Sequence, residues 1–319
     1  PKADPKAAHY LELQDQSAKR IRYKHRNGGK LPSCTKGFLV GDCDLGHRFL
    51  KVLLCGKEWC PECGEKWSWL HQRRYYRMLP KLKVLADIKK VIGYLVITVP
   101  KEHRQWMLEK GNLNKFRRYV IEFLKRQGYD KGIRAWHWAG EDGEQWNPHL
   151  NLLLPEGYIK PETLNGWREL FTAWLETKSG IRLKTAKSIV INYSYSDNSM
   201  KQRHWLRYIV RPTMRVYNPV IAAVIKGNKN IGTWGKWEKK TEQNEIAMLE
   251  RNLCPECGTK VRWHCANVED FEKYIDDFEE LKAGYFMRKF AIQSYEKYKY
   301  SEPPPRVLPR YKTLKFSFN

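Results

Sequence analysis

Acidic residues are scarce in this chain. Asp and Glu number 35 against 59 Lys and Arg, a formal net charge of +24. That balance points to a polyanionic partner, because each phosphate met by Lys or Arg releases condensed counterions. Long apolar runs are missing as well. The longest, such as "YLVITV", suit a buried strand and fall far short of a membrane span. The basic residues are interleaved with aromatics rather than gathered on one amphipathic helix, which argues against a membrane surface. No apolar N-terminal segment reads as a signal peptide, so the expected location is cytoplasmic. The chain opens at Pro1 without a methionine, and a start upstream of it is expected. Nor is there a Gly-x-x-x-x-Gly-Lys-Ser/Thr string, which removes the commonest nucleotide-hydrolysing loop.

Apolar residues make up 42%, enough for a real core. Thirteen Trp and eighteen Tyr supply flat surfaces that can stack on unpaired bases. About half of these rings are expected in the core instead. Eight cysteines fall in two groups: Cys34, Cys43, Cys55, Cys60 and Cys63, then Cys254, Cys257 and Cys265. The string "CPECG" occurs twice, at 60–64 and 254–258. Cys-x-x-Cys followed by Gly lets two thiolates converge on one tetrahedral ion, so structural Zn²⁺ is expected at both groups in preference to disulfides. The rear knuckle needs a fourth ligand, and His264 beside Cys265 is a candidate. The front group, with His47 nearby, holds more ligands than one ion uses. One site with spare thiols and two partly filled sites both remain open.

Periodicity divides the chain into a basic arm (1–33), a zinc-binding module with a basic helix stopping near Pro80 (34–80), and an alternating core (91–215). A basic loop with the second knuckle (216–266) and a helical region with a C-terminal tail (267–319) follow. Within the core, "GYLVITVP" reads as a strand and "NLNKFRRYVIEFLKRQG" as a helix. "GIRAWHWAG" and "HLNLLL" read as a hairpin, "PETLNGWRELFTAWLETKSG" as a helix, "SIVINYSYS" as a strand and "MKQRHWLRYIVRP" as a helix. The expected class is therefore α+β, an antiparallel sheet with helices on one face.

The hairpin carries the chemistry. His149 and Asn151 sit two apart on one strand and so share a face, and the pairing brings His137 opposite them. Two imidazoles and a carboxamide oxygen with open positions suit a divalent cation, with the neutral Asn leaning the choice toward Mg²⁺ or Mn²⁺. A histidine on a strand is more often a hydrogen-bonded core residue, and only a second element raises its standing. The helix near 200–211 presents Tyr208 among Lys201, Arg203, Arg207 and Arg211, with Arg215 just beyond and no acidic residue between 198 and 215. Cations around a tyrosine favour phenolate and hold phosphates, as attack on a phosphodiester requires. An amphipathic helix with Tyr208 and Trp205 in the core and solvated arginines has the same spacing.

Taken together, four ordered segments resemble the rolling-circle replication initiators of plasmids and single-stranded DNA phages, members of the HUH endonucleases. They are "CGKEWCPECGEKW", "YLVITVP", "AWHWAGEDGEQWNPHLNLLL" and "WLRYIVRP". The resemblance spans roughly residues 34–212. It implies an HUH nuclease core of ferredoxin or RRM-like type with zinc-binding modules before and after it. His149 matches the first signature histidine, Asn151 stands where the second is usual, His137 matches an upstream ligand, and Tyr208 matches the nucleophile. Arg211 takes the position of a lysine. The implied reaction is metal-assisted nicking and joining of single-stranded or hairpin origin DNA through a 5′-phosphotyrosine. The bound strand is expected on Arg203, Arg207, Arg215, Trp136, Trp138 and Trp146. A host helicase and DNA polymerase are implied as partners, since the chain has no motor motif. Two rivals stand beside this reading: a single-strand transposase of the rolling-circle kind, and a non-catalytic zinc-containing RNA- or DNA-binding module using the same tryptophans.

Overall fold

The fold comes from a computed structural model that describes residues 37–288 except 61, 66, 110, 141–144, 184–188, 215–217, 226–227, 238–243 and 267–276. Cys34, Arg215, the N-terminal arm and the C-terminal tail lie outside the described residues. Two antiparallel five-stranded sheets organise the rest. The first runs β8-β1-β2-β10-β9, where β1 is Phe38–Cys43, β2 Arg48–Val52, β8 Val261–Ala266, β9 Phe278–Lys282 and β10 Tyr285–Arg288. The segments expected as separate modules before and after the core thus share one sheet, because β1 pairs with β2 on one edge and with β8 on the other. The helical region expected after residue 266 is also corrected where it is described. Ala283 and Gly284 both take positive φ between β9 and β10, the two-residue geometry that closes a hairpin.

The second sheet runs β6-β3-β5-β4-β7, with β3 at Ile92–Thr98, β4 at Gly132–Ala139, β5 at Trp146–Leu154, β6 at Val190–Ser196 and β7 at Ile231–Trp234. Its register decides the faces. Leu95, Ile97, Trp136, Trp138, Leu150 and Leu152 turn one way and pack on α2 (Asn112–Arg126) and α3 (Pro161–Ser179). Ile133, Ala135 and Leu153 turn the other way, onto α1 (Trp69–Ile88) and α4 (Ser199–Ile209). Helices therefore cover both faces, not one, and every residue of β4 is buried. Each helix explains itself locally. In α2, Leu113, Phe116, Val120 and Leu124 recur at helical spacing and are buried. In α3, Pro161 opens the helix and Gly180 closes it at φ 72°. In α4, the Asn198 side chain caps the N–H groups of Met200 and Lys201, while Trp205, Leu206 and Ile209 are buried. Burying each of those three contributes roughly 1.5–3 kcal/mol.

The long helix α1 overturns the expected stop at Pro80. Ser68 caps its start, accepting from the N–H of His71, and it continues to Ile88. Proline at 80 cannot donate to the Tyr76 carbonyl, but Asn244 Nδ2 donates to that oxygen instead at 2.9 Å. With the orphan acceptor satisfied and Met78, Leu82 and Leu85 buried against the sheet, the helix runs through. Arg73, buried on the same helix, donates to the carbonyls of Val52, Ala283 and Gly284, which fixes α1 to the first sheet. Among the described residues no helix is long and apolar enough to cross a membrane.

Candidate functional site

The hairpin of β4 and β5 sets His137 directly opposite His149 and Ala135 opposite Asn151. Residues paired across strands share a face, so both histidines and Asn151 turn toward α1 and α4. The imidazole centres lie 5.1 Å apart, edge to face at 77°. Tyr208, one residue before the end of α4, brings its ring to 5.3 Å from that of His137. The Arg211 guanidinium lies 4.0 Å from the Tyr208 ring centre. A single hydrogen bond anchors this meeting, from His137 Nε2–H to the carbonyl of Ile209 at 3.0 Å.

That bond also sets the tautomer. A carbonyl only accepts, so Nε2 carries the proton and Nδ1 keeps its lone pair. Nδ1 is sealed from solvent and has no hydrogen-bond partner among the described residues. On the opposite strand His149 Nδ1–H donates to the Asn147 carbonyl at 2.8 Å, which leaves Nε2 as its lone-pair nitrogen. Burial pushes His137 well below the usual histidine range, with His149 and Arg211 adding to the effect. Burial lowers His149 too, and Arg211 acts in the same direction. Each imidazole is thus oriented by a backbone carbonyl and keeps one lone pair, the form in which a histidine binds a cation. The third expected ligand is already engaged. Asn151 is fully buried, and its Oδ1 accepts the Tyr94 hydroxyl at 2.7 Å, leaving one lone pair for anything further.

The chain matches no known family model, and neither the curated proteins nor the solved structures compared with it give a match. The geometry therefore stands on its own. Arg203 and Arg207 lie exposed on α4, and the Arg207 guanidinium covers the Trp67 ring at 3.9 Å. The tryptophans expected to hold bases behave differently. Trp136 and Trp138 are 0% and 1% exposed. They turn away from the histidines into the α2 and α3 core, since alternation sends neighbours of His137 to the far face. Trp146 stacks on Trp138 at 6.0 Å and gives its ring N–H to Arg104 O, so this stack faces its own members.

The thiols regroup across the chain. Cys43, His47, Cys254 and Cys257 have ligand atoms within 4.8 Å of one another, as do Cys55, Cys60 and Cys63. Cys43 Sγ lies 3.7 Å from Cys257 Sγ and 3.2 Å from His47 Nδ1, and Cys254 Sγ lies 3.7 Å from that nitrogen. Four ligands around a metal at the usual zinc–sulfur length sit about 3.8 Å apart along each tetrahedral edge, so the spacing fits. The Thr259 hydroxyl, 3.0 Å from Cys257 Sγ, holds that thiol down to about 6, toward the thiolate a metal requires. His264 and Cys265, expected to complete the rear knuckle, are exposed on β8 outside both groups. On an antiparallel strand paired with β1 they stand past the knuckle, whose missing partners come from the β1–β2 turn.

Sequence reasoning passed over three residues. Tyr94 was legible as a β3 position two before Val96 and so on the histidine face. Glu58 and Arg74 gave no signal, because their pairing at 2.9 Å joins a loop to a helix. Glu58, 5% exposed, also accepts the Thr213 N–H at 3.1 Å and a bond from the Asn230 side chain. It thereby ties the first knuckle loop to the chain just beyond Arg211.

Proposed function

We propose that this protein nicks and rejoins single-stranded DNA through Tyr208, in the manner of a rolling-circle replication initiator. One observation carries the reading: a tyrosine under an arginine, packed on a cross-strand pair of neutral histidines that each retain one lone pair. The Tyr208 phenolic oxygen attacks a phosphodiester, a P–O bond forms to the tyrosine, and the bond to the 3′-oxygen breaks. The phenolic proton passes to solvent and the departing oxygen takes one up, leaving a 5′-phosphotyrosine and a free 3′-OH. The exchange of one phosphate ester for another keeps the reaction reversible, so the same residue rejoins ends. Arg211, its guanidinium over the Tyr208 ring, positions phosphate oxygens, with Arg207 and Arg203 extending the cationic helix face. His137, His149 and the remaining lone pair of Asn151 are the residues that would hold a divalent cation such as Mg²⁺ or Mn²⁺, which would supply Lewis-acid polarisation of a phosphate. Structural Zn²⁺ would be held by Cys43, His47, Cys254 and Cys257, a full tetrahedral set of three thiols and one imidazole, and by the three thiols of Cys55, Cys60 and Cys63.

The binding-module alternative would keep only Trp146 of its three tryptophans near the surface, because Trp136 and Trp138 are core residues. The test is covalent capture. Fluorescent single-stranded and hairpin oligonucleotides, incubated with wild type and Mn²⁺, are expected to give a DNA–protein adduct that survives denaturing electrophoresis. Tyr208→Phe abolishes it while retaining binding. Nicking by the phenylalanine variant, or no adduct across a broad oligonucleotide pool, overturns the proposal.

A further inference from the structure

A second feature lies at the edge of the histidine sheet. The last strand, β7, pairs with β4 only from Gly132 to Ala135. Beyond that point the β4 edge finds other partners: Trp136 N–H donates to Asn230, and Trp138 N–H donates to Thr213 Oγ1. Where the fifth strand stops short, a cavity of about 720 Å³ opens between the first knuckle loop, α1, β7 and α5 (Pro219–Ile225). That volume falls in the range of small-ligand sites.

Its walls carry a consistent chemistry. Lys57, Arg77 and Lys229 line it, together with Trp59, Asn228 and Ala223. The carboxylate present, Glu58, is answered by Arg74 at 2.9 Å and by the Thr213 N–H, so it does not cancel the three cations. The Lys57 ammonium stands 5.7 Å from the Trp59 ring centre, which puts a positive charge beside a half-buried aromatic plane. An aromatic plane flanked by cations suits a ligand that is flat and apolar at one end and anionic at the other. Glu58 in the cavity wall also binds Arg74 and the N–H of Thr213, two residues past Arg211, which links the cavity to the chain that leaves α4.

We infer that this cavity receives one unpaired nucleotide of a single DNA strand, its base against Trp59 and its phosphates among Lys57, Arg77 and Lys229. The inference rests on single-stranded DNA being the substrate, but not on Tyr208 being the nucleophile. Extruding a base into the cavity costs little in a strand that is already unpaired. It would set the register of the strand whose neighbouring phosphate reaches Tyr208.

The test uses the full chain and fluorescein-labelled dT12, dA12, dC12 and dG12, with a 12-mer of abasic sugar–phosphate as the reference probe. Ala223→Trp fills the cavity from an exposed position on α5. It is expected to weaken the tightest homopolymer about ten-fold, the scale of one lost base stack, and to leave the abasic 12-mer unchanged. Lys57→Glu with Lys229→Glu weakens both classes of probe. Independently, dT12 carrying 5-iodouracil crosslinks under near-ultraviolet light, and peptide mapping is expected to place the adduct on Trp59. Equal effects of Ala223→Trp on base-bearing and abasic probes, or a crosslink map that omits Trp59, overturns the inference. Tyr208→Phe keeps the Trp59 crosslink, so loss of covalent capture with retained crosslinking refutes the nucleophile alone.

Discussion

Removing Cys257 should cost more than any single exposed residue in this protein. The group it belongs to joins the β1–β2 turn to a knuckle far along the chain, with Cys43 and Cys257 separated by 214 positions. A metal held by both ends closes that loop in the unfolded chain as a disulfide would, and the chain-entropy relation for a loop of this length gives about 5 kcal/mol. The native side agrees, because Cys43, Cys254 and Val261 sit in one small core with Phe49 and Tyr285. A loss of about 5 kcal/mol is comparable with the whole stability of many domains. The assay pairs urea denaturation with release of zinc measured by a colorimetric chelator. Cys257→Ser and Cys43→Ser are each expected to shed the same one equivalent of metal and to lose stability by similar amounts. His264→Ala and Cys265→Ser, both exposed, should keep the full metal content and shift stability by less than about 0.5 kcal/mol. The reasoning fails if the His264 or Cys265 variant releases metal as Cys257→Ser does, or if Cys43→Ser and Cys257→Ser release different equivalents.

Three further outcomes follow from named contacts. Glu58→Ala leaves the Arg74 guanidinium, 11% exposed, without its carboxylate and should cost about 3–5 kcal/mol in urea denaturation; a loss below 1 kcal/mol would mean the pair is not buried as described. His71 is buried and held down to about 4, chiefly by desolvation, so the unfolded chain takes its proton first as pH falls below about 6.5. Stability from this residue is therefore nearly complete at pH 7 and falls by about 2 kcal/mol between pH 7 and pH 5; His71→Gln should flatten that part of the profile, and an unchanged slope would refute it. Tyr94→Phe strips the donor from the buried Asn151 oxygen and should destabilise by about 1–3 kcal/mol without added metal. The same stability in both proteins would show that Asn151 finds another donor.

Local patterns carried much of the fold. Period-two alternation marked β3, β4, β5 and β6, and the turn between two of them brought His137 opposite His149, the register that is found. The helix start at Pro161 and stop at Gly180 were equally legible because they act through neighbouring residues. What local patterns missed was tertiary. Proline at 80 breaks a helix unless something distant takes the freed carbonyl, and Asn244 lies 168 positions beyond that carbonyl, further than any sequence window spans. The β9–β10 hairpin was read as helix because its charge-mixed residues show no clear period. Its strands form by pairing with β2, from the opposite end of the chain.

The candidate site divides along the same line, and the division explains why the histidines alone could not be judged from their strand. A histidine on a buried strand satisfied at both nitrogens is structural. One with a nitrogen left over keeps a lone pair that a ligand could use. That difference lies in where the second nitrogen's proton goes, and for His137 it is decided by the carbonyl of Ile209, on a helix 72 residues later. Ile209 is the neighbour of Tyr208, so one backbone oxygen orients the imidazole and fixes the tyrosine beside it. The tryptophans obey the opposite logic: flanking His137 in sequence, they must face the opposite side of the sheet, where both are buried and Trp138 lies in the wall of the cavity beside β7. The half-buried ring of that cavity, Trp59, comes instead from the first knuckle loop, and with Lys57, Arg77 and Lys229 it forms the proposed base contact beside β7.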